Sequence, residues 1–331
     1  MTTDSEPLVS VVTPFYNTDA YLAECIESVL AQSYRNFEYI LVDNQSTDKS
    51  RSIAEHYQSR DQRIRLSQTP SFYTQVQNYN FALQQISPQS HYCKIVQADD
   101  WLFPRCLTEM VRLGTAHPSV ALIGSYHLQS KCVLGTGIDF SECVIQGKEA
   151  CRRHLLEEFF LFGSPTTVMY RSDVVISRQP FYSEGRLHED TEAAFEILAT
   201  CDFGFVHQVL SSVRTQDASI TGTSRDYNPN VLDHLICLKL YGHQYLTRTE
   251  YSRELAGARR HYYRGLADAW LARQGKEFFD YHRNGLATIG EELDRGRMFR
   301  HALIALIDKS LRLGEAASSI ARSALNSRRN R

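Results

Sequence analysis

"VSVVTPFYNTDAYLAECIESVLAQSYRNFEYILVDNQSTDKS", residues 9 to 50, decides the fold. Its first seven residues are β-branched and nearly all apolar, the pattern of a strand buried on both faces, and the run is expected to break at Pro14. Leu22, Cys25, Ile26, Val29 and Leu30 follow at spacings of three and four, one apolar helix face. "FEYILVD", residues 37 to 43, is a second buried strand. Ser46, Thr47 and Asp48 then supply capping side chains for a second helix. A strand, a helix, a strand and a helix in about forty residues is the unit of a parallel sheet with helical crossovers.

Outward from this unit the alternation continues. "IRLSQ" is a weaker strand, Val76, Tyr79, Phe81 and Leu83 suggest a helix, and "CKIVQ" is a strand that ends on Asp99 and Asp100. A helix is expected beyond Trp101 to about Ala116, then the strand "VALIGSY". Residues 128 to 146 read as an irregular excursion, "GKEACRRHLLEEFF" as an amphipathic helix, "TTVMYRSDVV" as a strand entering a turn, and "FGFVHQVL" as the closing strand. From about Pro229 strand patterns stop. The fold class is α/β: a mostly parallel, Rossmann-like sheet with helices on both faces over residues 1–227, and a helical region over 228–331. In open parallel sheets ligands bind at the carboxyl ends of the strands, and "TPFYN", "DNQSTD" and "ADDW" all fall there.

Composition narrows the classes. Of 331 residues, 43% are hydrophobic and 22% charged, ordinary for a globular protein. A formal net charge of -2 argues against a nucleic-acid binder acting through overall charge. The eight cysteines show no CxxC pair, so free thiols in a reducing compartment are expected. The N-terminus lacks the basic and apolar regions of a signal peptide, and no run reaches the roughly 20 apolar residues that span a bilayer. A cytoplasmic protein, or one peripheral on the inner face of the membrane, is the expectation.

The chemistry sits at the strand ends. Adjacent carboxylates repel and resist burial without a cation or donors. Asp99 and Asp100 suit a divalent ion such as Mg²⁺, which takes one or two carboxylates plus substrate phosphates. They equally suit a helix cap beside a solvated loop residue. Asp43 and Asn44 present acceptors that can meet the edge of a base, or serve the following turn. "HED", residues 188 to 190, starts a helix, where the dipole favours an ionised carboxylate able to take a proton from a hydroxyl. Arg214 offers a fork for a phosphate or carboxylate.

In order and spacing, the opening segment, "VQADDW", "HEDTE" and the Arg214 segment resemble the family 2 glycosyltransferases of GT-A fold, over roughly residues 8 to 222. The resemblance implies a metal-dependent, hexosyltransferase-type enzyme. It would move a sugar, with inversion, from a nucleoside diphosphate sugar to a hydroxyl of a glycan or lipid-linked acceptor in surface polysaccharide or glycolipid synthesis. Carried over by position, Pro14, Tyr16, Asp43, Asn44, Asn80 and Arg214 would hold the nucleotide sugar. Asp99 would approach the ribose or the metal, Asp100 would bind the Mn²⁺ or Mg²⁺, and Asp190 would be the general base in preference to Glu189. Three departures stand out: Asn44 where many relatives carry a second Asp, Gln97 where an acid often precedes the pair, and Gln216 where a histidine is common.

Other readings are weaker. Haloacid-dehalogenase-type phosphatases also end a strand on Asp but need a second Asp two residues on, where Gln45 stands. A nucleotidyltransferase lacks its Gly-rich, basic phosphate loop at "TPFYN". A non-catalytic sugar-nucleotide binder of the same fold would not need both the acidic pair and a base. Near the C-terminus Arg295, Arg297, Arg300, Lys309, Arg312, Arg322, Arg328, Arg329 and Arg331 oppose Asp308 and Glu315. Met298, Phe299, Ala302, Leu303, Leu306 and Ile307 form a stripe beside them. Such a helix suits either an anionic membrane surface or packing on the catalytic domain.

Overall fold

In a computed structural model, the structure describes residues 6–157, 163–184, 189–214, 227 and 229–307. The chain divides into two compact units, residues 1–223 and 224–331.

The first unit is built on one sheet. β1 (Val9–Phe15), β2 (Phe37–Asp43), β3 (Ile64–Gln68) and β4 (Tyr92–Ile95) are parallel, in the order β3-β2-β1-β4. The sheet continues through β9 (Val168–Arg171), β6 (Val120–Gln129) and β10 (Asp202–Val213) to β5 (Trp101–Leu102). β6 and β10 are parallel, while β9 runs antiparallel to β4 and β6, and β5 antiparallel to β10. Two short strands, β7 (Cys132–Leu134) and β8 (Val144–Ile145), pair off this path with β6 and β10.

The helices between the strands are α1 (Leu22–Leu30), α2 (Ser50–Gln58), α3 (Gln75–Leu83), α4 (Cys106–Ala116), α5 (Gly147–Leu155), α6 (Ser172–Ile176) and α7 (Glu189–Leu198). Leu22, Cys25, Ile26 and Val29 of α1 are fully buried against β1, β2 and α4 residues such as Met110, in one continuous core. Burying such side chains contributes about 1.5–3 kcal/mol each. α3 begins with a reciprocal cap in which Thr74 Oγ1 accepts from Gln77 N and Gln77 Oε1 from Thr74 N.

Three expectations change. β1 does not break at Pro14 but runs on to Phe15, with Pro14 in register with Val42. Val12 O accepts from Val96 N and Phe15 O from Asn44 N, so Pro14 faces the β4 side just where that pairing ends, and its missing N–H leaves no gap in the ladder. Trp101 and Leu102 form a strand, and the helix starts only at Cys106. The 132–134 and 144–145 stretches of the irregular excursion pair with the sheet. None of the eight cysteines forms a disulfide, and Cys25, Cys93, Cys106, Cys151 and Cys237 are buried.

The second unit is helical: Pro229–Tyr245, Arg248–Leu271, Lys276–Ala287 and a helix over 295–307. Leu232, Leu235, Tyr262, Leu266, Phe278 and Leu286 form its core. The expected C-terminal stripe splits there. Met298 and Ala302 point into this core, whereas Phe299, Leu303 and Leu306 are about half exposed. Lys309 and the later basic residues lie outside the described residues. No helix among the described residues is long and apolar enough to cross a membrane.

Candidate active site

The carboxyl ends of β1 and β2 are stitched together by polar loops. Asn17 Oδ1 accepts from Thr47 N (2.8 Å), Asn17 N donates to Ser46 Oγ and Thr18 N to Ser50 Oγ (2.7 Å). Asp48 accepts from Asp19 N and from Ser50 N, the first residue of α2, while Lys49 takes the N-cap position and the Ser46 and Thr47 hydroxyls bond Asn17 instead of capping the helix. Asp43, with no exposed surface, closes this frame: Oδ1 accepts from Ser46 N (2.9 Å), and Oδ2 from Gln68 Nε2 and the Arg51 guanidinium. Asn44 is equally engaged. Its Oδ1 accepts from Tyr73 N and Thr69 Oγ1, and its Nδ2 donates to Tyr73 O. Asp43 therefore ties the turn after β2 to the end of β3, and Asn44 organises the loop after β3. In front of them stand Tyr16 and Phe72, edge to face with ring centroids 4.8 Å apart and both largely exposed.

The end of β4 holds the acidic pair, and its two members have opposite surroundings. Asp100 is 2% exposed. Its Oδ2 accepts from Thr166 Oγ1 (2.6 Å) and its Oδ1 from Arg214 N (2.8 Å). Burial pushes its carboxyl up to about 7 against the opposing pull of those two donors. Asp99 is only half-buried, with its carboxyl raised by burial. Arg214 ties the pair together: Nε donates to Asp99 O (3.0 Å), a terminal nitrogen pairs with Glu24 (2.6 Å), and the guanidinium lies over Tyr21 and Trp101.

Beneath the pair lies a group that sequence reading passed over. Lys94 falls in the expected strand "CKIVQ"; it is wholly buried, and its Nζ donates to the carbonyls of Thr166 and Val168. Burial lowers its pKa, while Asp100 is among the groups that oppose the shift. Thr166 also accepts from Gln97 N (3.0 Å). Gly163 sits close by because an added Cβ would come within 2.8 Å of the His127 ring and 2.9 Å of Thr167 Oγ1. Thr166 opens "TTVMYRSDVV", which reads as a strand entering a turn; no local pattern marks it as a partner of Asp100.

Glu189 and Asp190 open α7, half-buried, with Asp190 Oδ1 accepting from Thr191 N (2.7 Å). Asn80 clamps the segment leading toward them, donating to Tyr182 O and accepting from Tyr182 N, both at 2.8 Å. The buried Tyr79 and Tyr182 rings meet at 5.9 Å. Burial raises both hydroxyls, with lesser contributions from Asp100 and Asp99 at Tyr79 and from Asp190 at Tyr182. His188 and Gln216 lie outside the described residues.

A divalent cation fits this donor set in kind. Mg²⁺-type ions take one or two carboxylates and complete their shell with phosphate and water, and Asp99 with Asp100 supplies those carboxylates. Among the described residues no group of three or more metal-ligating side chains converges.

A mostly parallel sheet with polar loops at its carboxyl edge, an acidic pair after β4 and a second acidic pair opening α7 make up the arrangement of the GT-A type of glycosyltransferase. Residues 10–175 match the model described as glycosyl transferase family 2, and the chain belongs to that family. It is 28% identical over 229 residues to the glycosyltransferase GlyG of Streptococcus pneumoniae, 66% of this chain and 74% of that protein. Its fold resembles that of residues 1–349 of S. aureus TarS in complex with UDP-GlcNAc, with a TM-score of 0.62 at 17% identity over 85% of this chain and 80% of that one. The mannosyltransferase PcManGT of Pyrobaculum calidifontis, in complex with GDP-Man and Mn²⁺, gives a TM-score of 0.56 at 16% identity, covering 94% and 81%.

Proposed function

We propose that this glycosyltransferase moves a sugar, with inversion, from a nucleoside diphosphate sugar to an acceptor hydroxyl in the assembly of a surface glycan or glycolipid. The observation that carries this is the locked acidic pair at the end of β4, held by Thr166 and Arg214 beside the β1 and β2 loops. The donors named for the two similar structures, UDP-GlcNAc and GDP-Man, support the donor class.

Tyr16 and Phe72 give the nucleoside an aromatic surface, and the buried Asp43 and Asn44 keep the loops beneath it in shape. Asp99 and Asp100 would hold a Mn²⁺ or Mg²⁺ ion, which supplies Lewis-acid stabilisation to the leaving diphosphate. Asp190, at the start of α7 where the dipole favours an anion, takes the acceptor proton. The acceptor oxygen bonds to the anomeric carbon as the bond to the diphosphate breaks, through an oxocarbenium-like transition state. One displacement inverts the centre.

The test is a panel of nucleoside diphosphate sugars with Mn²⁺ or Mg²⁺, with the wild type compared with Asp99→Asn, Asp100→Asn and Asp190→Asn. Donor binding should weaken in the first two and persist in the third, whose transfer should fall by about 10²-fold or more. Full transfer by Asp190→Asn alongside its loss in Glu189→Gln would move the base to Glu189. Metal-independent donor binding indifferent to both acidic-pair variants would refute the site.

A further inference from the structure

We propose that the helix over 295–307 is a docking face for an anionic lipid bilayer. Two independent observations support it. The first is geometric. Met298 and Ala302 anchor one side of the helix in the core of the second unit. Phe299, Leu303 and Leu306, at helical spacings of four and three, line an adjacent side at 47%, 60% and 49% exposure. The stripe reaches a second helix, because Phe299 meets the Trp270 ring edge-on at 5.1 Å and Trp270 is itself 42% exposed. Ile304 adds another exposed apolar side chain farther around the same helix. Large apolar side chains in such numbers on one surface are not a random scatter of exposed residues.

The second observation is charge. Residues 295–331 carry nine Lys and Arg against two acids, a net +7, in a chain of net -2. The preceding 294 residues are therefore at -9, so the sign reverses where the apolar stripe lies. Arg295, Arg297 and Arg300 are exposed on the same helix. Basic residues beside exposed Trp, Phe and Leu are what interfacial binding to anionic lipid requires. A second copy of the chain fits less well. Five half-exposed side chains offer roughly 400–500 Å², against about 800 Å² per partner in a stable protein interface. A bilayer needs only a few inserted apolar groups and the attraction of its headgroups.

The experiment is vesicle cosedimentation of the full chain, which reads docking without donor or acceptor and so fails or succeeds separately from the transfer chemistry. Partition onto phosphatidylcholine vesicles containing about one-third phosphatidylglycerol should exceed that onto pure phosphatidylcholine by at least tenfold and fall with added salt. Arg295→Gln with Arg300→Gln should reduce it about 30-fold, at roughly fivefold per charge. Phe299→Ser with Leu303→Ser should reduce it at least tenfold with an unchanged circular dichroism spectrum; Leu303→Ser alone, at the most exposed position of the stripe, guards against misfolding of the double variant. Equal partition on both vesicle types overturns the proposal. So does binding untouched by the serine variants, including the case in which those variants instead convert a dimer to a monomer in sedimentation velocity.

Discussion

Thr166→Val tests the frame that holds the acidic pair. Thr166 has no exposed surface, and its hydroxyl does two things at once, donating to Asp100 Oδ2 at 2.6 Å and accepting from Gln97 N at 3.0 Å. Valine keeps the shape and removes both bonds. Leaving the Gln97 N–H without its partner costs about 1–3 kcal/mol, and removing a donor from a carboxylate oxygen about as much again. Because the two losses share one atom and partly relax together, the expected total is about 3 kcal/mol, a change of about 10² in the folded-to-unfolded ratio. The two tryptophans fall one in each unit, so a Trp270→Phe background leaves Trp101 as reporter of the first unit in a urea titration. Thr166→Ser, which keeps the hydroxyl, should lose about 1 kcal/mol or less from its missing methyl. A Thr166→Val loss under about 0.5 kcal/mol, or a Thr166→Ser loss equal to it, would show that the hydroxyl does not bridge these groups.

The remaining predictions concern the β2 loop and the second unit. Asn44→Asp restores the residue common in relatives but turns the donor facing Tyr73 O into an acceptor, so it should destabilise the first unit by about 2 kcal/mol. An unchanged urea midpoint with tighter uridine-nucleotide binding would overturn the structural role given to Asn44. In the second unit, burial among Phe278, Tyr262 and Tyr281 pushes the His282 ring down to about 4. The unfolded ring protonates near 6.5, so between those values protons favour the unfolded chain, and stability intact above about pH 6.5 is lost as pH falls toward 4. The full loss is about 3 kcal/mol. Followed by Trp270 in a Trp101→Phe background, His282→Phe should remove this part of the pH slope. Identical slopes in the two proteins would refute it.

Strands buried on both faces were readable because they are continuous apolar runs: β1, β2, β4, β6 and β10 all show in the sequence. Direction was not. Nothing in Val168–Arg171 distinguishes a strand antiparallel to β4 and β6 from a parallel one, and the two residues of β5 are too few for a period to show. Pro14 reads as a break because local rules see only its missing N–H, whereas its position past the end of β4 makes that loss harmless. At the site, the acidic and amide residues at strand ends stood out, but their partners did not. Asp100 meets a hydroxyl 66 residues away and a backbone N–H 114 residues away, and Asn44 meets Tyr73 at 29. No spacing rule reaches that far.

The same distances explain why a strand delivers two like charges to one point. Read in sequence, the resemblance gives Asp100 the metal and Asp99 the ribose or the metal, with no physical difference between the two. In the fold, Asp100 is the buried member, with a donor on each oxygen, and the chain already brings cations toward it: Lys94 on β4 itself and Arg214 across the strand's end. Neither forms a direct side-chain ion pair with Asp100. Lys94 reaches it through the Thr166 turn and Arg214 through a backbone N–H and the Asp99 carbonyl, so the charges are softened while the carboxylate keeps its place. A buried carboxyl raised to about 7 would gain from an incoming divalent charge more than a solvated one, because a cation relieves the burial that disfavours the anion. On the proposed reading, the partly exposed Asp99 would offer such an ion its first contact, and the buried Asp100 would fix the point at which that contact is made.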